Sequence, residues 1–338
     1  NIGLYSIAGV MFWLVGYNLA YGIPEGGYIG TFTPWSDASS VDTGYSDGSD
    51  WFFQMVFCAT TMSIVSGTLA ERIKICPFFL FAAILTGIIY PIEMGWQWGG
   101  GWLSAAGFSD FAGSTLGHAA GGAAALAGAI VLGPRLGRFS NGKLVPFASS
   151  SIPLATLGTF ILWFGWFGFN GGSQLALAGF ENATAVATIY INTNLAACAG
   201  VMTCAVITRL INGKTDVIMM LNGALGGLVA ITAEPLTPTP LMAIIIGSIG
   251  GIIVILGTQA LNKFQIDDVV GAIPVHLFAG IWGTLAVPLT NSGTSFGPQL
   301  LGTASICAFV FVVSFIVWSI MKATIGIRIS EEAEKEGT

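Results

Sequence analysis

The sequence is poor in charge, histidine and cysteine. Only 8% of its 338 residues are charged and only two are histidine, whereas soluble globular domains carry about 25% charged residues. The five cysteines show no metal-type spacing, and no nucleophile with a base, phosphate loop or cofactor motif is recognisable. These absences disfavour a water-soluble protein, an enzyme, a cofactor-dependent protein and a metalloprotein.

What the sequence has in abundance is apolar residues, which make up 54% of the chain. About 20 apolar residues are needed to cross a hydrocarbon core of about 30 Å, and ten stretches of that length are present. They lie near 3 to 22, 51 to 70, 77 to 95, 113 to 132, 152 to 171, 184 to 208, 215 to 232, 241 to 261, 268 to 288 and 299 to 321. The pattern predicts an all-α polytopic membrane protein embedded in a lipid bilayer.

Basic residues occur on only one side of this predicted topology. Lys and Arg lie in alternate connections and after the last span, at Arg72, Lys74, Arg135, Arg138, Lys143, Arg209, Lys214, Lys263, Lys322, Arg328 and Lys335. The other connections carry acidic residues alone, among them Asp42 and Asp50. The positive-inside rule then predicts that both termini are cytoplasmic. The net charge of −6 gives no indication of a nucleic-acid partner, and acidic outer connections suit the attraction of cations.

The two histidines lie in matching sequence frames. The chain reads DFAGSTLGH up to His118 and DVVGAIPVH up to His276, so Asp110 and Asp268 each precede a histidine by eight residues. The frames fall in the fourth and ninth spans, and an odd offset of five spans makes the two copies antiparallel. This indicates an inverted five-helix repeat, with chance similarity between two glycine-rich helices as the alternative.

Helix geometry predicts that the histidines meet. Eight residues at a rise of 1.5 Å carry each histidine about 12 Å inward from opposite faces, to the middle of a core of about 30 Å. The alternative is two unrelated histidines, each bonded to backbone carbonyls. The repeat also requires a fifth span before that of His118, so we expect one further transmembrane helix ahead of Asn1.

A buried histidine pair favours the neutral form and leaves one donor and one acceptor position for a small polar molecule. No carboxylate or thiolate lies beside either histidine in sequence, so we predict no metal. Aromatic clusters WFFQMVF, WQWGGGW and WFGWFGFNGGS fall on the outer side. They are interpreted either as an interfacial belt or as a vestibule whose ring faces attract a cation.

Several strings together resemble one family over the whole chain. GTLAERI, WGGGWLSAAGFSDFAGSTLGH, GWFGFNGGS, the DD before His276 and GIRISEEAEKEG are similar to ammonium transporters of the Amt/Mep/Rh superfamily, the Amt branch in particular. The resemblance implies an eleven-helix fold of which ten helices are visible here. Residues 1–328 would form the transmembrane domain and 329–338 the start of a cytoplasmic tail. It also implies a homotrimer in the plasma (cell inner) membrane and a possible PII-type regulatory partner.

The resemblance also implies roles for individual residues. Trp98, Ser173 and Phe57 match an external ammonium-recruitment site, Phe57 and Phe169 a phenylalanine gate, and His118 and His276 the twin histidines of the pore. Family residues that line or support that region are matched here by Asp110, Phe53, Gln54, Trp166 and Asn170. Asp110 is expected to hold backbone rather than to touch ammonium.

Two departures from the family pattern bear on function. Gly271 stands where family members commonly carry an Asp, and Pro274 lies two residues before His276, where a proline inside a helix would remove a hydrogen bond and kink it. The sequence therefore predicts selective ammonium transport. The alternative is an ammonium-sensing receptor that controls a C-terminally fused signalling domain.

Overall fold

The computed structural model describes residues 1–39 and 46–337, and their fold is almost entirely helical. Ten apolar helices occupy the positions of the ten predicted spans. They are α1 Ile2–Tyr21, α2 Asp47–Leu69, α3 Ile75–Gly95, α4 Ser114–Leu132, α5 Ile152–Gly172, α6 Phe180–Asn212, α7 Val217–Thr232, α8 Pro240–Lys263, α9 Ile273–Leu289 and α10 Phe296–Thr324. In the described ranges eight of these are long and apolar enough to cross a membrane, and α7 and α9 are shorter. The predicted polytopic helical fold is confirmed; Asp42 and Thr338 lie outside the described residues.

Helices are the expected form for these segments because a bilayer offers no water to backbone N–H and C=O groups, and a helix satisfies them internally. The first turns are capped by side chains. Ser46, Asp216 and Thr239 each accept a hydrogen bond from the backbone N–H three residues further on, and so satisfy one of the N–H groups that a helix start leaves free.

The two histidine-bearing helices occupy the centre of the molecule. Among the eight long helices of the described ranges, α4 is the most enclosed, with 89% of its apolar window buried, whereas the corresponding value for α5 is 11%. Helix α4 packs against α2, α9 and α10, and α6, α7 and α8 form a second group of neighbours. The central position of α4 buries His118, which is 1% exposed.

Helix α9 begins later than predicted. The sequence suggested a span over 268 to 288, which would place Pro274 inside the helix, but the helix begins at Ile273 and Pro274 lies in its first turn. The first N–H groups of a helix have no intrahelical partner, so proline there removes no hydrogen bond. The expected kink at Pro274 is therefore wrong.

The basic connections meet at one end of the bundle. Arg135 contacts the carboxylate of Asp267 at 2.8 Å, and Arg138 contacts the same carboxylate at 3.3 Å. Arg72 donates to the backbone carbonyl of Asp267 at 2.8 Å. Burial by itself raises the pKa of the Asp267 carboxyl, but the hydrogen bonds from Arg135 and the charges of Arg72 and Arg135 together hold this pKa below its ordinary value. Three chain segments distant in sequence are tied together here.

Minor strands occur at this same end. Strands β1 (Phe139–Ser140) and β2 (Lys143–Leu144) pair antiparallel between α4 and α5. A single antiparallel bridge joins Ile73 to Arg328, just before the short helix Glu331–Glu336. The sequence pattern predicted neither, because strands of two residues leave no periodic signal.

Candidate functional site

The His118 frame, called outer here after the side on which the sequence predicts it, is a turn organised by a buried carboxylate. Asp110 accepts four backbone N–H groups, from Gly113, Ser114, Thr115 and Leu116, at 2.7 to 2.9 Å. Gly113 adopts a left-handed conformation with φ 95°, which glycine tolerates best. Helix α4 then begins with a π-helical turn, Ser114–Ala119, that contains His118. Asp110 is 1% exposed, and its carboxylate caps the backbone at the start of α4.

The inner frame repeats this arrangement in the opposite direction. Asp268 accepts from the N–H of Gly271 at 3.2 Å and of Ile273 at 2.7 Å, and from the Thr68 hydroxyl at 3.0 Å. Gly271 has φ 84°, and α9 begins with the π-helical turn Ile273–Phe278 around His276. Gly271 is thus the counterpart of Gly113. Its positive φ explains why a glycine stands at this position, where the sequence departs from the family pattern.

Two further glycines let these π-helical turns touch. Gly122 and Gly280 each lie four residues after a histidine. A Cβ at Gly122 would collide with the backbone of Leu277, and one at Gly280 would collide with the carbonyl of Ser114. Small residues of this kind allow helix backbones to approach closely in a membrane protein. Sequence reasoning missed this pair, although its equal offset from the two histidines was a readable signal.

The histidines meet through equivalent nitrogens. The Nδ1 atoms of His118 and His276 lie 3.1 Å apart, and the ring centroids are 5.1 Å apart at an interplanar angle of 26°. Two neutral imidazoles at this distance share one proton between the Nδ1 atoms, which leaves one Nε2–H donor and one bare Nε2 acceptor. His118 Nε2 has no hydrogen-bond partner among the described residues. The pair therefore presents hydrogen-bonding capacity that the protein does not use.

Two aromatic rings pack against His118. Trp166 stacks on His118 with centroids 4.9 Å apart and an angle of 16°, and Phe169 lies 5.3 Å from the same ring. Phe169 in turn lies 4.1 Å from Phe57, which is 1% exposed. The two phenylalanines predicted as a gate are thus in contact directly above the histidine pair.

Beyond these rings lies an outer cavity of about 540 Å³. The three residues matched to recruitment, Trp98, Ser173 and Phe57, all line it. Phe57 meets Trp98 edge-on with centroids 5.5 Å apart and an angle of 89°. The Ser173 hydroxyl donates to the carbonyl of Phe169 at 2.9 Å, so its lone pairs remain available to accept a hydrogen bond. Phe53 and Gln54 also line this cavity.

The remaining predicted residues hold the rings in place. Trp166 Nε1 donates to the Thr232 hydroxyl at 2.8 Å, and that hydroxyl lies 3.2 Å from Asn170 Oδ1. Asn170 is fully buried and donates to Thr193 at 2.9 Å, so it supports the site without lining the cavity. Trp98 Nε1 donates to the carbonyl of Asp110 at 2.9 Å. Asp110 itself does not border the cavity.

A second cavity, of about 240 Å³, adjoins the histidines from the inner side. Both His118 and His276 border it, together with the polar side chains of Thr60, Ser63 and Asn222. Sequence reasoning missed these three, because single polar residues on apolar helices carry no signal of which face they occupy. In the described part of the chain, no group of three or more His, Cys, Asp or Glu side chains could hold a metal ion.

Comparison with known proteins extends these observations. A family model described as Ammonium Transporter Family matches residues 4–338. Ammonium transporter Amt2 of Archaeoglobus fulgidus is 40% identical over 374 residues, covering 100% of this chain and 77% of that protein. A solved structure described as a sensor Amt protein superposes with a TM-score of 0.93 at 34% identity, covering 99% of this chain and 87% of the other. Mep2 of Candida albicans gives a TM-score of 0.88 at 28% identity, with coverages of 98% and 78%.

Proposed function

We propose that ammonium passes through this protein from the outer cavity to the histidine pair. The chain belongs to the ammonium transporter family, is a multi-pass membrane protein that transports ammonium and is not an enzyme. One observation carries this proposal. The outer cavity, the Phe57 and Phe169 rings, the two histidines and the inner cavity follow one another through direct contacts. A small molecule that displaces the two rings reaches the histidines.

The outer cavity suits a cation that can donate hydrogen bonds. Trp98 and Phe57 offer ring faces, which attract a monovalent cation by about 0.5 to 2 kcal/mol. Ser173 offers a hydroxyl acceptor at the edge of the same cavity. Ammonium can shed water onto these groups and then pass the phenylalanine rings when they fluctuate.

The histidine pair supplies selectivity. Its free Nε2 acceptor can take a hydrogen bond or a proton from ammonium, and its Nε2–H can donate to ammonia. Potassium neither donates a hydrogen bond nor yields a proton, so its weak contact with a nitrogen lone pair does not offset the water that it loses in a buried site. The pair thus discriminates by hydrogen bonding.

Ammonium-evoked currents in proteoliposomes test the proposal. We expect His118→Ala and His276→Ala to lower the current about tenfold or to reduce the preference for ammonium over potassium, because about 1.4 kcal/mol of lost hydrogen bonding corresponds to that factor. Cys198→Ala, an exposed position on α6, is the matched control and should behave as wild type. Wild-type currents and selectivity in both histidine variants would remove the pair from the mechanism.

The assembly and placement are part of the proposal. Residues 1–328 act as the transport unit of a homotrimer in the plasma membrane, and 329–338 belong to a cytoplasmic tail open to a PII-type protein. The exposed apolar face of α5, where Phe164 is 79% exposed, supports contact with lipid or another subunit. Native mass spectrometry of the purified protein should give a trimer mass, and a monomer mass would contradict it.

An ammonium-sensing role is the second candidate. The observation that favours it is the TM-score of 0.93 against the sensor Amt protein. Saturable ammonium binding without any electrogenic current in proteoliposomes would support sensing. A current that saturates with ammonium favours transport.

A further inference from the structure

Asp50 stands at the rim of the outer cavity, in the first turn of α2. It lines the cavity together with Phe53, Gln54 and Phe57 of the same helix. Spacings of three, four and seven residues place these side chains on one helix face. Seven residues at 1.5 Å put Asp50 about 10 Å outward from Phe57. A carboxylate thus lies on the path by which a cation approaches the recruitment residues.

No basic side chain among the described residues pairs with its charge. In residues 1–39 and 46–337 no Lys, Arg or His forms an ion pair with Asp50, and residues 40–45 contain no basic residue in the sequence. The Tyr17 hydroxyl donates to Asp50 Oδ2 at 2.8 Å. This bond orients the carboxylate but leaves its full negative charge facing the cavity. An unneutralised carboxylate beside low-dielectric walls raises the local concentration of cations.

A second observation comes from Gln54. Its Nε2 lies 3.4 Å from Asp50 Oδ1, and because a carboxylate only accepts hydrogen bonds, the amide must turn its nitrogen toward Asp50. Gln54 Oε1 is then left as an acceptor, and it is buried without a partner among the described residues. Gln54 is 7% exposed and lines the cavity. A buried acceptor of this kind favours a donor ligand.

We propose that Asp50 is a specificity-determining residue that concentrates monovalent cations at the outer cavity and, through Gln54, prepares a hydrogen-bond acceptor for ammonium before the recruitment residues. The proposal rests on the proposed function for its ligand. The competing explanation is that Asp50 only stabilises the positive end of α2, as acidic residues in a first turn do. Asp47 lies in the same turn but does not line the cavity, so it provides the matched control.

The experiment compares Asp50→Asn with Asp47→Asn in two assays. The first measures the ammonium concentration for half-maximal current in proteoliposomes. The second measures binding of caesium, a cation that cannot donate hydrogen bonds, to purified protein by calorimetry. Asparagine keeps an acceptor for Tyr17, so the turn should remain intact. Gln54→Leu is the third variant, because it removes the amide while keeping an apolar side chain of similar length.

At low ionic strength we expect Asp50→Asn to raise the half-maximal ammonium concentration and to weaken caesium binding, each about two- to fivefold, the Coulomb effect of one charge at about 10 Å. The difference should shrink above 0.5 M salt, where the Debye length falls to a few ångströms. Asp47→Asn should match wild type in both assays. Gln54→Leu should weaken the ammonium response but not caesium binding.

Each contrary result has a distinct meaning. Equal caesium binding by Asp50→Asn and wild type at low salt, no caesium binding by wild type, or an equal effect of Asp47→Asn would overturn the role of Asp50. Wild-type protein that binds caesium in an Asp50-dependent way but carries no ammonium current would uphold Asp50 and overturn the proposed transport path.

Discussion

The two histidine helices begin with the same kind of turn, but different forces hold the two turns in place. Asp110 accepts four buried N–H groups, and its turn is joined to the end of α7 by backbone bonds and to Trp98 by the indole N–H. Asp268 has two backbone bonds and the Thr68 hydroxyl. Its neighbour Asp267 is held by Arg135. Both turns are thus capped by a carboxylate, but the outer turn is otherwise held by hydrogen bonds between uncharged groups, whereas the inner turn adjoins an ionic cluster.

The two histidines also differ in burial and in the side chains that surround them. His118 is 1% exposed and stacks against Trp166 and Phe169, whereas His276 is only partly buried, although both histidines border the inner cavity. An inverted repeat therefore supplies equal geometry at the centre, while its surroundings give each half a separate role. We expect the outer half to recognise and the inner half to release.

The largest expected difference follows from removing the two capping carboxylates. Asp110→Ala leaves four buried N–H groups without an acceptor, and at about 1 to 3 kcal/mol for each lost partner the cost is about 4 kcal/mol or more. Asp268→Ala leaves two N–H groups and one hydroxyl, of which the hydroxyl can find water. Thermal unfolding in detergent should show a larger loss of stability for Asp110→Ala, and asparagine at either position should recover part of it. Equal losses would break the distinction between the two turns.

Acid should loosen the inner half first. Because the folded-state pKa of Asp267 lies below the ordinary value of 3.8, its ion pair contributes stability that is fully present above about pH 4 and is lost as pH falls through the lower, folded-state pKa. Asp267→Asn should cost about 3 kcal/mol at neutral pH, since it leaves Arg135 without its buried partner, and should flatten the acid limb of stability. Unfolding at pH 6 and at pH 3 checks both effects. An equal acid loss in wild type and Asp267→Asn would place the sensitivity elsewhere.

Much of this arrangement is readable from the sequence, for identifiable reasons. Apolar length predicts the ten helices because membrane thickness sets it, and the equal Asp to His spacing predicts the contact of His118 with His276 because helix rise is constant. The predicted start of α9 was wrong because apolar composition does not show at which residue a helix begins. The glycines at 122 and 280 were missed although they share one offset from the two histidines. The polar face of the inner cavity depends on which helices meet, and one chain read alone does not encode that in any local pattern.

The smallest effect, and the finest test of the comparison, lies at the paired glycines Gly113 and Gly271. Alanine at either position must adopt a left-handed conformation, which costs about 1 to 2 kcal/mol. At Gly271 the new Cβ would also lie 2.6 Å from Asn222 Nδ2, whereas at Gly113 it would lie 3.1 Å from the Trp98 ring. Asn222 borders the inner cavity and Trp98 the outer one.

We therefore expect Gly113→Ala to weaken the apparent affinity for ammonium through Trp98, and Gly271→Ala to lower stability and maximal current with little change in affinity. Adding Asn222→Ala to Gly271→Ala should recover the steric part of the loss and leave the backbone strain. Currents measured over a range of ammonium concentrations separate the two outcomes. If both alanine variants changed affinity equally, the outer and inner turns would act as one site, and recognition could not be assigned to the outer half alone.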